Sequence, residues 1–177
     1  MGKSGEKWIF YDFPVAHKCH RQWGYAVFRG VNNINLDAKG RMAMPTRYRE
    51  SLAQHCGGQM VVTIDTEEHC LLIYPVDEWE DIQRKIESLP SFNPAARRIQ
   101  RLLIGHATDI EIDASGRLLL TQPLRDYAQL DKKTVLLGQG RKFELWSEEL
   151  WMQQRNIYIE DKGNSGELPD ELQILSL

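Results

Sequence analysis

The chain has 177 residues, 42% of them hydrophobic, enough for one ordinary core or two small ones, and no apolar run of 18 residues that would suggest a membrane-spanning helix. Its three cysteines, Cys19, Cys56 and Cys70, are odd in number and contain no CxxC pair, which argues against a disulfide framework or structural zinc and suits a reducing cytosol. A net charge of -3 argues at face value against nucleic acid, but five basic and two acidic residues lie between Val27 and Glu50, against seven acidic and no basic ones between Ile64 and Asp81.

Residues 1–26 carry Gly, Lys, His and aromatic residues without helical or strand periodicity and read as an irregular arm that lacks a secretory signal pattern. Within it His17, Cys19 and His20 lack a fourth ligand at normal spacing, so no metal is expected. From Val27 the pattern changes. Asn33-Ile34-Asn35-Leu36 alternates as a half-buried strand does. Asp37-Ala38-Lys39-Gly40-Arg41 is turn chemistry: Asp37 accepts from the amides that follow, and Gly40 tolerates positive φ. Arg41 to Met44 reads as the returning strand, ended by Pro45, and Thr46 as the cap of a short helix, Arg47 to Gln54. Gly57-Gly58 breaks that helix; strands are expected at Met60–Ile64 and Cys70–Tyr74. Trp79, Ile82, Ile86 and Leu89 then recur at helical spacing.

Pro90 to Pro94 is a linker, with Asn93 an N-cap ahead of a helix from Ala95 to Ile104 that Gly105 closes. Its Arg97, Arg98 and Arg101 form a basic stripe, best read as a solvated face or a salt bridge to the acidic 64–81 segment. The same order of elements follows again. Asp113-Ala114-Ser115-Gly116-Arg117 repeats the D-A-x-G-R signature 76 residues on, Ile110-Glu111-Ile112 matches Ile34-Asn35-Leu36, and Arg125 matches Arg49. A short helix is expected at Leu124–Ala128, strands at Thr134–Leu137 and Lys142–Trp146, and a helix from Ser147. Trp151 matches Trp79, now at an offset of 72, as shorter loops in the second copy require; both are read as core anchors. His69 and His106 are given structural roles. From Asp161 the chain is acidic and reads as a flexible tail.

The fold class is therefore α+β: two copies of a β-turn-β-α-β-β-α unit of about 60 residues, each too small to bury a core alone. The expected organisation is an arm (1–26), a first module (27–90), a linker helix with a second module (91–160) and a tail (161–177).

Phe28-Arg29-Gly30, Asp37-x-x-Gly40-Arg41, Pro45-Thr46-Arg47-Tyr48-Arg49, Gln100-Arg101-Leu102-Leu103-x-Gly105-His106-Ala107 and Phe143-Glu144-Leu145-Trp146 resemble the MraZ family of bacterial transcription regulators. The resemblance runs from Val27 to the C-terminus. It implies tandem AbrB-like modules, swapped-hairpin β-barrels with flanking short helices, related by a pseudo-twofold axis. It also implies a ring-like homo-oligomer on promoter DNA that controls the division and cell-wall gene cluster, including its own gene, through short G-rich direct repeats. Family chains usually begin Met-Phe-Arg-Gly where this one has Val27-Phe28-Arg29-Gly30, so residues 1–26 are expected to come from an upstream start.

Arg41 and Arg117 are the expected DNA contacts, since a planar guanidinium binds phosphate or a guanine edge bidentately. The bland alternative is an internal Asp–Arg pair that only fixes the turn. Lys39 is expected on phosphate, with Arg29, Arg47 and Arg49 extending the face; for Arg49 and Arg125, support of the loop from a helix is as good a reading. Asp37, Gly40, Asp113 and Gly116 are loop-formers. Asp37 and Asp113 as an acid–base pair is rejected, because an arginine beside each depresses its pKa, and no P-loop, HExxH or GxSxG motif suggests an enzyme. The expected protein is a cytoplasmic, nucleoid-associated DNA-binding oligomer without cofactor, metal or membrane partner. The alternative is an architectural oligomer of the nucleoid that ignores sequence.

Overall fold

The computed structural model describes residues 26–160. The first repeat supplies β1 (Phe28–Asn35), β2 (Arg41–Ala43), α1 (Thr46–Cys56), β3 (Gln59–Ile64), β4 (Leu71–Pro75) and α2 (Val76–Glu87). A short α3 (Pro94–Ile99) runs into a π-helical turn, Gln100–Ile104. The second repeat supplies β5 (Thr108–Glu111), β6 (Arg117–Leu119), α4 (Gln122–Tyr127), β7 (Lys133–Gly140), β8 (Lys142–Ser147) and α5 (Glu148–Glu160). The arm, with His17, Cys19 and His20, and the tail lie outside the described residues.

The strands form a six-stranded sheet, ordered β1-β7-β8-β4-β3-β5, and a two-stranded ribbon, β2-β6; every pairing is antiparallel. The order is a palindrome of the two repeats. The first strand of each repeat pairs with the third strand of the other, and the fourth strands meet in the middle. Registers agree with a twofold axis. Met42 pairs with Leu118, its counterpart at offset 76, and Leu72 pairs with Glu144, its counterpart at offset 72. The axis thus passes through both pairs. The repeats exchange strands, as the resemblance implied, and the α+β class holds.

Alternation along β4 sends Leu71 and Ile73 to one face of the sheet and Leu72 to the other. On the first face Met42 and Leu118 of the ribbon, Leu52 of α1 and Leu124 of α4 pack with sheet residues of both repeats. Phe28 stacks on Phe143 with centroids 4.2 Å apart, and Tyr48 packs on both rings at 5.8 and 5.0 Å. On the second face Cys70, Leu72, Val135, Leu137 and Trp146 pack with Leu103, Leu150 and Trp151. Burial on both faces explains why β3, β4, β7 and β8 read as near-continuous apolar runs. Burial of the Cys70 thiol raises its pKa above the usual thiol range, and burial pushes the Tyr74 hydroxyl up to about 12.

Three local expectations change. Arg41 to Met44 is a returning strand only in part: a single bridge, Leu36 to Met42, joins it to its own repeat, and its ladder is with β6. Thr46 does not cap α1; Pro45 occupies the cap position, and no side chain among the described residues caps the first amides. The expected helix over 95–104 is α-helical only to Ile99. Beyond it the Leu103 carbonyl accepts the Thr63 hydroxyl at 2.6 Å, and the Gly105 amide donates to Gln100 five residues back at 3.2 Å. Asn93 does cap α3, its Oδ1 accepting the amides of Ala95 and Ala96 at 2.8 and 3.4 Å. Trp79 is buried and packs on Tyr74, whereas Trp151 is half-buried against Trp146.

Candidate nucleic-acid interface

Each signature builds the same turn. Asp37 Oδ1 accepts the amides of Lys39 and Arg41, both at 2.9 Å, and Oδ2 accepts Arg41 Nε at 2.7 Å and pairs with its Nη2 at 2.7 Å. Asp113 accepts the amides of Ser115 and Arg117 at 2.8 and 2.9 Å, and Nε and Nη2 of Arg117 at 3.0 Å each. Gly40 and Gly116 close the turns at φ of 78° and 75°, where a Cβ is strained. The Arg41 amide and guanidinium hold the Asp37 carboxyl below its ordinary pKa, and Arg117 does the same for Asp113. Both carboxylates are acceptors spent on their own turns, not proton donors.

The ribbon brings the two turns together. Leu120 donates its amide to the Gly40 carbonyl at 3.0 Å, and Met44 donates to the Gly116 carbonyl at 2.9 Å. In the register Arg41 faces Leu119 and Ala43 faces Arg117, with Met42 and Leu118 between them. Directly opposed residues share a face, so Met42 and Leu118 point into the core and Arg41, Ala43, Arg117 and Leu119 share the outer face. The outcome is one surface bearing both arginines about a twofold axis, with Leu119 54% exposed between them.

Each turn is also roofed by an arginine of the other repeat. A Cβ on Gly40 would lie 2.6 Å from Cζ of Arg125, and a Cβ on Gly116 would collide with the guanidinium of Arg49. Arg49 Nε donates to the Met44 carbonyl at 2.7 Å. The helix-borne arginines therefore support loops, but the loops of the opposite copy, which spacing along one repeat does not reveal.

The remaining predicted contacts are dispersed. Lys39 is exposed at the tip of the first turn, and no ion pair engages it among the described residues. Arg47 is turned onto β1, with Nη2 on Asn32 Oδ1 at 2.7 Å and its Cζ 4.7 Å from the Tyr48 ring centroid. Arg29 is exposed, and its carbonyl accepts the Tyr48 hydroxyl at 2.5 Å. Arg29 and Arg47 thus form a second patch beside β1. Arg98 pairs with Glu67 of the acidic segment at 3.7 Å, as that reading of the stripe expected.

The family model described as "MraZ protein, putative antitoxin-like" matches twice, over residues 27–102 and 103–164. The chain belongs to the MraZ family. A relative from Alkalilimnicola ehrlichii, named Transcriptional regulator MraZ, is 56% identical over 151 residues, 85% of this chain and 100% of the relative. Relatives of the same name from Halorhodospira halophila and Legionella pneumophila strain Paris are 52% and 53% identical over 152 residues, with the same coverage. The two matches in this MraZ chain coincide with the two strand-exchanging repeats, and each includes one D-A-x-G-R turn. Among its described residues no helix is long and apolar enough to cross a membrane.

Proposed function

We propose that the chain is a sequence-specific DNA-binding transcriptional regulator. It represses the division and cell-wall gene cluster, including its own gene, from short G-rich direct repeats, in the cytoplasm at the nucleoid. The observation that carries the reading is the convergence of Arg41 and Arg117 on one outer ribbon face, each rigidly placed by its own aspartate. The pairs engage Nε and Nη2, and Nη1 takes no part in either. A pre-oriented guanidinium loses little entropy on meeting a phosphate or a guanine edge. The name shared by the relatives supports a regulatory role.

In this reading Arg41, Lys39 and Arg117 contact DNA through the ribbon face, Arg29 and Arg47 add charge from the patch beside β1, and Arg49 supports the second loop from its helix. The modules 27–90 and 91–160 act as one pseudo-symmetric reader. One ribbon makes few phosphate contacts and binds weakly. A homo-oligomeric ring sets several ribbons against repeated sites and raises affinity through effective concentration. No catalytic step is assigned, because both turn carboxylates are ionised and consumed by their turns.

The test is a gel shift on DNA from upstream of the chain's own gene, with unrelated DNA as competitor. Arg41→Ala is expected to weaken binding at least 10-fold, and Arg117→Ala less, since Ser115 stands where the first loop has Lys39. Unchanged binding in both variants removes the ribbon from the mechanism. Saturable binding that the competitor abolishes equally well makes the protein an architectural one.

A further inference from the structure

We propose that Arg125, a residue of the second repeat, is a phosphate-binding residue of the first loop, which makes that DNA-contacting loop a composite of both repeats. The inference rests on the DNA-binding reading above and adds a residue to it.

Arg125 and Arg49 are equivalent in sequence and in place, yet they are bonded differently. Arg49 lies on Gly116 with Nε satisfied by the Met44 carbonyl at 2.7 Å. Arg125 lies on Gly40, where an added Cβ would come to 2.7 Å from both Nε and Nη1 of the arginine. Its Nε is buried and has no acceptor among the described residues. Its Nη2 donates only to Gln122 in the same helix, and no carboxylate pairs with it among the described residues. A buried donor without an acceptor is a standing cost that an incoming anion removes. For Arg49 the same movement would sacrifice a bond already made.

The neighbourhood suits a phosphate. Lys39 is exposed at the tip of this turn, and Asp37 is already neutralised by Arg41. With Arg125 added, the first loop carries two net positive charges; the second, with Arg117 against Asp113 and Arg49 as its roof, carries one. A guanidinium that turns away from Gly40 presents Nε and an Nη to two phosphate oxygens, while Lys39 meets the group as a point charge. The loops are therefore unequal for a second reason besides the exchange of Lys39 for Ser115.

The test is the slope of log affinity against log salt, measured by fluorescence anisotropy on a duplex from the upstream region, with full-length wild type, Arg125→Gln, Arg125→Lys and Arg49→Gln. Arg125→Gln is expected to lower the slope by about 1, the amount for one lost phosphate contact, and Arg125→Lys to restore it. Arg49→Gln is expected to lower the thermal midpoint and leave the slope unchanged. Independently of any variant, the Nε–Hε resonance of Arg125 is expected to shift on adding DNA while that of Arg49 stays in place. Wild-type binding with an unchanged slope in Arg125→Gln, or with both resonances moving alike, overturns the inference alone. A wild type without salt-dependent binding overturns the DNA-binding reading and this inference with it.

Discussion

Met42 stands directly opposite Leu118, its own counterpart 76 residues later, and both side chains are fully buried. The pseudo-twofold axis runs through this pair, so the contact that joins the repeats also fixes the separation of Arg41 and Arg117 on the face above. Core packing and the candidate interface meet at one position of a three-residue strand.

Truncating either residue should be costly. Met42→Ala or Leu118→Ala is expected to destabilise the protein by about 2–5 kcal/mol in urea unfolding. The two residues share one site, so the double variant should lose less than the sum, with a coupling of about 0.5–3 kcal/mol. Strict additivity would mean that the two side chains do not share a cavity.

Strand exchange predicts how the chain behaves when divided. Neither repeat can complete its half of the sheet, because among the described residues β1 pairs only with β7 and β5 only with β3. Residues 27–102 and 103–164, expressed separately, should be unfolded as monomers. Mixing them should restore cooperative unfolding with a thermal midpoint that rises with concentration. A half that is monomeric by light scattering and unfolds cooperatively would contradict the exchange.

The turns should respond to acid in a defined window. Asp37 and Asp113 have folded-state values below the ordinary 3.8, chiefly through the amides of Arg41 and Arg117. A depressed carboxylate contributes stability that is complete above the unfolded value and is lost as pH falls through the folded one. Carboxyl-carbon NMR titration should therefore give midpoints below 3.8 for both residues. The Arg41 Nε–Hε resonance should lose protection over the same range, and Asp37→Asn should abolish that dependence. A midpoint at or above 3.8 would show that the turn does not hold its carboxylate.

Each turn was legible because its chemistry is local. Asp37 reaches amides two and four residues ahead, and Gly40 supplies the one conformation the return needs; five adjacent residues contain the whole argument. The helices were legible through their period and the strands through alternation or short apolar runs, for the same reason. The π-helical turn was not: its Leu103 carbonyl accepts a hydroxyl from Thr63, 40 residues away, a contact no local pattern shows. The site was half legible. Arg41 and Arg117 stood out by repetition and Arg49 by offset, but no spacing shows that Arg125 covers Gly40.

By itself, then, the sequence determined the duplication, the turns, the type and order of nearly every element and the residues that repeat between copies. All of these depend on interactions within a few residues of each other. Only the tertiary structure decided that β2 pairs with β6, that β1 and β5 change places, and that each turn is roofed by the opposite repeat. A strand's free N–H and C=O groups accept any partner whose buried face matches, and the two repeats offer nearly identical faces. The choice between pairing within a repeat and pairing across it falls to the packing of one shared core, with Met42 and Leu118 at its axis.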